Sequence, residues 1–532
     1  MPFPDIARTI RERPTHAALA AAVAMLLGYA LWLFTYAEDD AFIIYRYALN
    51  AVGGHGFVFN PGERTEGYSC PLYTFLTAVL MGAPGDVHFR AKLLGLTFAV
   101  ATLWATSRLV SLLDLPPWAR AAVLVLVGAN GNFALAALNG METSLQVLLV
   151  TMAAWSFVRE EKQGAGWTSA LWFLAAGLNR AEGGYACACA FLIAARAAWR
   201  ERSRARRLTW ALVFAAPMAA FFAWRWWYYG DLLPNTVYAK SVPFGLALAE
   251  APTYLLRTIF PTADRTAMAP AVILWALALR GAISGRLGGA ARLLGLLVAA
   301  RVAIVLRSGG DWMSGWRFMV EALVPWSILT LTGLVEFIAW ARERLQSPRG
   351  HLVTTGFAAL VVALPLLAAP TFSGVHDATS WWRVGWATDT RGLSHAEWMK
   401  NCLAVAAHVN EHVPAGATIA FGEMGMIPFL SPQLRYLDTY GLNDRQIARL
   451  ETDARTRLGV TDACDDPESD VGRHLLQRRP ELIASVVPAD APAPRPLSDR
   501  YLPFSRLRLP FADGGPPRYL QLWKLEDEAV GH

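Results

Sequence analysis

Charged residues are scarce in this sequence. Asp, Glu, Lys and Arg make up 17% of its 532 residues, against about 25% in soluble globular domains. Hydrophobic residues make up 55%, and the mean hydropathy is +0.31. The composition therefore excludes an ordinary soluble protein and indicates a membrane protein. The 21 Trp agree with this, because amphipathic aromatic rings favour the membrane–water interface.

Cysteine is rare as well. The five Cys show no metal-ligand spacing, which argues against a cysteine-based metal site. Cys187 and Cys189 lie inside an apolar run, where helix packing accounts for them. A disulfide between Cys402 and Cys464 stays open at this point, since an oxidising compartment would allow it.

Positive charge is not spread evenly along the chain. The formal net charge is +6, but the basic residues cluster between apolar runs, most densely over 196–207. Membrane topology explains this clustering better than nucleic-acid binding, because cytoplasmic loops of membrane proteins are rich in Lys and Arg. We therefore expect a lipid bilayer as partner and no nucleic acid.

Apolar runs of spanning or near-spanning length recur through the first 370 residues. The first, at about 17–36, follows three Arg and precedes no small-residue cleavage site, so we interpret it as an uncleaved transmembrane helix. With it, the runs predict about eleven transmembrane helices. The others lie at roughly 93–110, 119–135, 143–158, 167–179, 183–198, 208–226, 266–280, 291–306, 322–340 and 351–370.

The basic residues test this threading. If Arg8 to Arg13 are cytoplasmic and the chain alternates sides, the basic clusters all fall in cytoplasmic loops, as the positive-inside rule requires. Six polar clusters from distant parts of the chain then share the opposite face of a bacterial inner membrane. Two of these clusters lie in 37–92 and the others in or beside 136–142, 180–182, 227–265 and 307–321, and the same face receives the chain after 370.

These patterns predict two domains. Residues 1–370 form an α-helical polytopic membrane domain, and 371–532 form an extracytoplasmic α/β domain with helices at about 395–412 and near 443–457. Its short apolar runs include ATIAFG, ELIASVV and YLQLWKL. In the long first outer loop, 37–92, we predict an amphipathic helix over Ala41–Val52 and a short interfacial or re-entrant helix at 71–82.

Two adjacent carboxylates, Asp39 and Asp40, come directly after the first apolar run. A charged pair can simply mark the end of a helix at the interface, and that interpretation stays open. Adjacent carboxylates also raise one another's pKa, which suits a general base or a cation site. Placing an ionised carboxylate close to the hydrocarbon of the bilayer costs free energy, so such residues usually have a function.

A secondary transporter is the main alternative outside the enzymes. It should show internal repeats and ionisable residues at mid-membrane. Here the ionisable residues lie at helix ends, and the long outer loops and tail are asymmetric, so an enzyme is favoured.

Several motifs carry a family resemblance. DDAFIIYRYALN is followed by GHGFVFNPGERTEGYSCPLY, and then in order by NGMET, NRAEG, LPNTVYAK, GGDWM with a following RF, and GEMGMIPF…LDTYGLND. With these motifs most of the chain resembles the AftB-type terminal arabinofuranosyltransferases and their pilin-modifying relatives. Two positions depart from the family pattern: Cys70, where a small polar residue or Asn is expected, and Ala181, where Pro is commoner.

The resemblance implies a GT-C-like fold and an inverting transferase that uses a polyprenyl-phosphate sugar as donor. The sugar would be arabinofuranose, with mannose or aminoarabinose as alternatives, and the acceptor a cell-envelope glycan or glycoprotein. A glycosyl phosphate is already activated, so no metal or other cofactor is expected.

The same resemblance implies roles for residues of the outer face. Asp39 and Asp40 would be catalytic, because the acceptor hydroxyl needs a base. Arg180, Lys240 and Arg317 would bind the donor phosphate, although each alone also fits a cation that merely reaches the interface. Further residues would bind substrate: Arg46, His55, Asn60, Glu66, Tyr68, Glu142, Glu182, Asn235 and Asp311.

Overall fold

The computed structural model describes residues 14–164, 166–180, 204–257, 268–311, 313, 316–368, 395–450, 470–488, 501–509 and 518–526. The chain divides into two compact units. The helical unit contains Met1–Phe34, His88–Phe222 and Phe244–His376. The mixed unit contains Thr35–Val87, Ala223–Pro243 and Asp377–His532.

Helices make up most of the described chain. In order they are α1 Pro14–Trp32, α2 Asp39–Val52, α3 Pro71–Met81, α4 Val87–Ser111, α5 Pro117–Gly128, α6 Gly131–Leu138, α7 Thr143–Gln163, α8 Thr168–Asn179, α9 Arg204–Tyr229, α10 Asn235–Ala239, α11 Phe244–Arg257, α12 Met268–Ala282, α13 Gly289–Ser308, α14 Arg317–Val320, α15 Leu323–Arg344, α16 Pro348–Ala368, α17 His395–His412, α18 Met426–Leu430 and α19 Asp470–Arg478.

Five described helices, α1, α4, α9, α13 and α15, are long and apolar enough to cross a membrane. The pair α5 and α6, bent by 48°, would make a sixth if it is one span. Asn130 lies at this bend and caps α6, because its side chain accepts the N–H of Phe133 at 2.9 Å. The run at 119–135 is therefore a broken helix. The count of about eleven spans stays a prediction, since 183–198 lies outside the described residues.

Close backbone packing holds α12 against α15. A Cβ added at Gly281 would lie 2.0 Å from the carbonyl oxygen of Leu329, and one at Gly333 would lie 2.0 Å from that of Leu277. Only glycine fits at such a contact, and small residues are the usual means by which membrane helices approach closely.

The mixed unit contains a five-stranded sheet of order β2-β1-β3-β5-β4. β1 pairs in parallel with β2 and β3, whereas β5 pairs antiparallel with β3 and β4. Its core includes Leu437, Leu475, Ile483 and Trp523. The strands are β1 Thr418–Phe421, β2 Arg435–Asp438, β3 Leu482–Pro488, β4 Tyr501–Arg508 and β5 Arg518–Leu525.

Local predictions in the mixed unit agree well with this structure. The helix predicted at 395–412 is α17, and the three apolar runs quoted above coincide with β1, β3 and β5 to within one residue at either end. The helix predicted near 443–457 is different: its described part holds only a 3₁₀ turn, Ile447–Arg449. Just before it, the carboxylate of Asp438 accepts the backbone N–H groups of Tyr440, Gly441 and Asn443 and so stabilises a turn.

The first outer loop also forms the predicted helices. α2 begins at Asp39, two residues before the predicted start, because acidic residues in the first turn stabilise a helix N-terminus. α3 begins with Pro71, a residue suited to that position. Both belong to the mixed unit, together with residues of the C-terminal region. A domain boundary at 370 stays a prediction, because 369–394 lies outside the described residues.

Candidate functional site

The first turn of α2 carries the two predicted catalytic carboxylates. Asp39 is buried, with 8% of its surface exposed, and its Oδ1 accepts the backbone N–H of Met426 at 2.9 Å. The pKa of Asp39 is raised to about 7. Burial is the largest cause and the charge of Asp40 acts in the same direction, whereas the N–H groups of Met426 and Gly425 act to lower the pKa. The neighbouring carboxylate thus acts as predicted, but burial is the larger cause.

Gly425 makes the position of Asp39 possible. A Cβ at Gly425 would lie 2.2 Å from the backbone oxygen of Asp39 and 2.3 Å from its Oδ2. The φ angle of Gly425 is −92°, so space rather than an unusual backbone angle requires glycine here. The motif GEMGM therefore contributes a surface against which the carboxylate of Asp39 packs.

Asp40 has a different environment from its neighbour. Its Oδ2 lies 3.5 Å from Nζ of Lys240, whose side chain is 41% exposed, while that of Asp40 is 13% exposed. Lys240 follows directly on α10. The structure thus brings together one predicted catalytic carboxylate and one predicted phosphate-binding cation within the mixed unit.

Asn235 fixes the short helix that precedes Lys240. Its side-chain amide donates to the carbonyl oxygens of Gly441 and Leu442 at 2.7 and 3.0 Å. Its backbone N–H donates to the carbonyl oxygen of Glu66 at 2.8 Å. The predicted substrate-binding side chain of Asn235 therefore contacts backbone in this structure, where it positions α10.

Arg46 and Asn60 join α2 and the loop after it to the sheet. Arg46 is 1% exposed and donates to the carbonyl oxygens of Phe59 and Leu434 at 2.9 and 2.8 Å. The side chain of Asn60 donates to the carbonyl oxygen of Tyr436 and accepts its N–H, at 2.8 and 3.1 Å. Both predicted substrate-binding residues therefore hydrogen-bond to backbone groups and hold α2 and the following loop against the sheet.

Glu66 forms a buried ion pair with Arg225. The two side chains meet at 2.8 and 3.0 Å. Burial raises the pKa of Glu66 to about 7, while Arg225 acts to lower it. Nearby, the hydroxyl of Tyr68 lies 2.8 Å from that of Tyr229. His55, by contrast, is exposed.

The helical unit holds a second group of predicted site residues around the motif NGMET. Arg180 is 2% exposed, and its Nη1 lies 3.1 Å from Glu142 and 3.2 Å from Glu321. Arg301 of α13 forms an ion pair with the other oxygen of Glu321. Glu321 and Arg301 were missed in the sequence, although ionisable residues within apolar runs are a recognisable signal.

Arg317 lies beside the same motif. It forms an ion pair with Asp311, whose other oxygen accepts the hydroxyl of Tyr254 at 2.8 Å. The guanidinium carbons of Arg180 and Arg317 lie 5.5 and 5.6 Å from the centre of the Phe318 ring. Two of the three predicted phosphate-binding cations thus flank one aromatic side chain, whereas Lys240 belongs to the mixed unit.

Two predictions fall on residues outside the described ranges. Glu182 is one of them. Cys464 is another, so a disulfide between it and the buried Cys402 stays a prediction.

Comparison with known proteins finds two similar arabinofuranosyltransferases. The terminal β-(1→2)-arabinofuranosyltransferase of Mycobacterium tuberculosis is 29% identical over 313 residues, which cover 47% of this chain and 48% of that protein. The protein of the same name from Corynebacterium glutamicum is 28% identical over 363 residues, covering 58% and 50%. The chain is similar to these terminal arabinofuranosyltransferases. The resemblance found in the motifs is confirmed, and the chain spans about half the length of these curated relatives. A family described as "Domain of unknown function (DUF8728)" matches residues 390–524.

Solved structures show the fold. The archaeal oligosaccharyltransferase AglB from Archaeoglobus fulgidus, in complex with an inhibitory peptide and a dolichol-phosphate, superposes with a TM-score of 0.55 at 11% identity, covering 90% of this chain and 70% of that one. ArnT from Cupriavidus metallidurans, bound to undecaprenyl phosphate, gives a TM-score of 0.51 at 11% identity, covering 96% and 98%. At these identities the likeness shows the fold alone. The predicted mostly helical architecture is confirmed, because the described residues contain five or six helices long and apolar enough to cross a membrane and their fold resembles these two solved structures.

Proposed function

We propose that this chain is an inverting membrane glycosyltransferase, which moves arabinofuranose from a polyprenyl-phosphate donor to a hydroxyl of a cell-envelope glycan or protein acceptor. The kinship with the terminal arabinofuranosyltransferases supports the reaction class. The observation that carries the proposal is the buried carboxylate of Asp39, whose pKa of about 7 suits a base that works near neutral pH.

Asp39 would act as the general base. The acceptor oxygen attacks the anomeric carbon, and the bond from that carbon to the phosphate oxygen breaks with its electron pair on the phosphate. The hydroxyl proton passes to the carboxylate of Asp39. A pKa near the working pH makes this carboxylate basic enough to accept the proton while leaving a large fraction of it ionised.

Asp40 and Lys240 would orient the acceptor beside the base. Their separation of 3.5 Å keeps a cation next to the second carboxylate. Asn235 positions the helix that ends at Lys240 through its contacts with 441–444. This arrangement supports a role for the pair in substrate placement rather than in proton transfer.

Arg180 and Arg317 would stabilise the departing phosphate. Guanidinium groups form strong, two-pronged hydrogen bonds with phosphate, and such groups lower the barrier where negative charge develops. Both cations already have carboxylate partners, Glu142 and Asp311. We propose that these carboxylates hold the guanidinium groups in place and accept hydroxyls of the donor sugar.

The site would face the outside of a bacterial inner membrane. The distribution of basic residues in the sequence supports this orientation, because each basic cluster then lies in a cytoplasmic loop. The similarity to two terminal arabinofuranosyltransferases favours arabinofuranose over mannose or aminoarabinose as the sugar. We also propose that the reaction needs no metal, since a glycosyl phosphate is already activated.

Transfer of radiolabelled arabinofuranose from a synthetic polyprenyl phosphate to an oligosaccharide acceptor, by purified protein in detergent, tests the proposal. We expect transfer by the wild type and at least a hundredfold slower transfer by Asp39→Asn, which keeps the shape but removes the base. Asp114→Asn is the matched control, because Asp114 is 80% exposed in a predicted cytoplasmic loop. No transfer of any lipid-linked pentose or hexose by the wild type would refute the enzyme and favour a transporter.

A further inference from the structure

A polar cavity of about 210 Å³ lies in the mixed unit, at the β2 edge of the sheet. At roughly 30 Å³ per molecule, this volume corresponds to about seven waters. It is formed by the loop after α2, by β1 and β2, and by the end of α19. The lining residues that matter here are Asn60, Glu63, Thr418, Arg435, Tyr436 and Arg478.

Hydrogen bonds and a cation–π contact fix the wall of the cavity formed by Asn60 and Tyr436. Asn60 bonds to both backbone groups of Tyr436, which fixes the loop to β2. Behind this wall, the guanidinium carbon of Arg46 lies 5.1 Å from the centre of the Tyr436 ring. A binding site formed in advance by such contacts loses little entropy when a ligand enters.

The charges at the cavity favour a neutral ligand with many hydroxyls. The Oε1 of Glu63 lies 2.6 Å from Nη2 of Arg435 and 3.7 Å from Nη2 of Arg478. Glu63 already occupies part of the hydrogen-bonding capacity of both guanidinium groups, so an anion would have to compete with a carboxylate for them. A sugar hydroxyl can donate to Glu63 and accept from a guanidinium at once. Both Arg side chains are 42% exposed, so a ligand can reach them.

We infer that this cavity binds a neutral sugar unit of the acceptor glycan, away from the hydroxyl that reacts. The inference rests on the proposed function. Arg46, which contacts Asn60 at 3.4 Å, lies seven residues after Asp39 on α2, about 10 Å along the axis at ~1.5 Å per residue. A sugar in the cavity is therefore not the one at the base, and the cavity serves a more distant unit of a longer acceptor.

Acceptors of two lengths and a matched pair of variants test this. The probes are a linear arabinofuranose hexasaccharide, the corresponding disaccharide and inorganic phosphate, all used with the full chain in nanodiscs. Arg478→Ala removes a cavity donor. Arg473→Ala, on the same helix but outside the cavity and 55% exposed, is the control. Binding is measured by titration without donor, and transfer by KM and kcat.

We expect Arg478→Ala to weaken hexasaccharide binding about tenfold and to raise its KM toward that of the disaccharide, with kcat unchanged. Arg478→Lys should restore part of this loss, because Lys keeps the charge but not the planar donor, and Arg473→Ala should match the wild type. Equal hexasaccharide binding in Arg478→Ala and the wild type would overturn the inference. So would Arg478-dependent binding of phosphate without binding of the hexasaccharide.

The two proposals fail in different ways. If the wild type binds the hexasaccharide through Arg478 but transfers no sugar, the sugar site stands and the proposed reaction is wrong. If transfer occurs but KM for both acceptors is unaffected by Arg478→Ala, the reaction stands and the distant subsite is wrong.

Discussion

The carboxylate of Asp39 occupies space that a side chain at residue 425 would need. A Cβ at Gly425 would lie 2.3 Å from Oδ2 of Asp39, well inside van der Waals contact. The two residues are far apart in sequence, yet the glycine allows the backbone near Met426 to approach and donate to the acid. This contact both buries Asp39 and supplies a hydrogen bond that holds it.

Gly425→Ala should therefore abolish most of the activity. The methyl group would displace the Asp39 carboxylate, and small misplacements of a catalytic group cost orders of magnitude in rate. We expect about a hundredfold lower kcat with the protein still present in the membrane, measured by transfer assay and immunoblot. Gly356→Ala is the control, since a Cβ there meets nothing within 4 Å. Near-normal turnover in Gly425→Ala would show that the contact is not needed.

The rate should depend on pH through Asp39. Its pKa is raised to about 7, so the base is protonated at lower pH. We expect kcat/KM to fall about tenfold per pH unit below 7 and to level off above it. Rate measurements from pH 5 to 9 with one acceptor check this. A flat profile through pH 6 would assign the base to another group.

Asp39→Asn should stabilise the protein at alkaline pH. The folded-state pKa of Asp39, about 7, lies above the ordinary value of 3.8, so the folded state favours the protonated acid. The stability that Asp39 contributes is fully present below its ordinary pKa of 3.8 and is lost progressively as pH rises to about 7. In detergent, the melting temperature of the Asp39→Asn variant should lie above that of the wild type at pH 8.5, and the difference should be clearly smaller at pH 5. A lower melting temperature for Asp39→Asn at pH 8.5 would contradict this.

Breaking the Glu66–Arg225 pair should destabilise the mixed unit. Removing one member leaves the other buried without this ionic partner, which lowers the free energy of unfolding by about 3–5 kcal/mol. We expect Arg225→Met to lower the melting temperature clearly, and Glu66→Leu with Arg225→Met to recover part of the loss. Arg473→Ala, which breaks an exposed pair with Asp470, should cost less than about 1 kcal/mol. A double variant no better than the single one would argue that the pair itself is stabilising.

Neutralising the cations beside Phe318 should weaken donor binding. Arg180→Ala and Arg317→Ala should each reduce the affinity for a polyprenyl-phosphate analogue about tenfold or more, because a charged contact near lipid is strong. Arg→Lys should recover only part, since Lys lacks the planar donor. Arg280→Ala, 53% exposed, is the control. If both Ala variants bind the analogue as tightly as the wild type, these two cations do not bind the donor phosphate.

Much of the fold could be predicted because it depends on local patterns. Apolar runs at spanning length predicted the positions of α4, α9, α13 and α15, and short apolar runs gave three of the five strands. The carboxylate pair at residues 39–40 was also visible, since two charges directly after an apolar run stand out. The bend between α5 and α6 was missed, because a single capping Asn outweighed a continuous apolar run.

The roles of individual side chains depend instead on the tertiary structure. Substrate binding by Arg46, Asn60 and Asn235 stays a prediction. The structure adds that folding brings distant carbonyl groups to these side chains, and buried polar groups need such partners. Glu321 and Arg301 belong to the site only because the fold places Glu321 in ion pairs with both Arg180 and Arg301.

The sequence by itself determined the membrane class, the uneven placement of basic residues, most helices and the presence of the Asp39–Asp40 pair, because composition and periodicity are properties of neighbouring residues. Only the tertiary structure decided that Asp39 is the buried member, that Gly425 and Met426 enclose it, and that Lys240 lies beside Asp40. Burial and hydrogen bonding, which set the pKa of a carboxyl, come from residues that the chain brings together only when it folds.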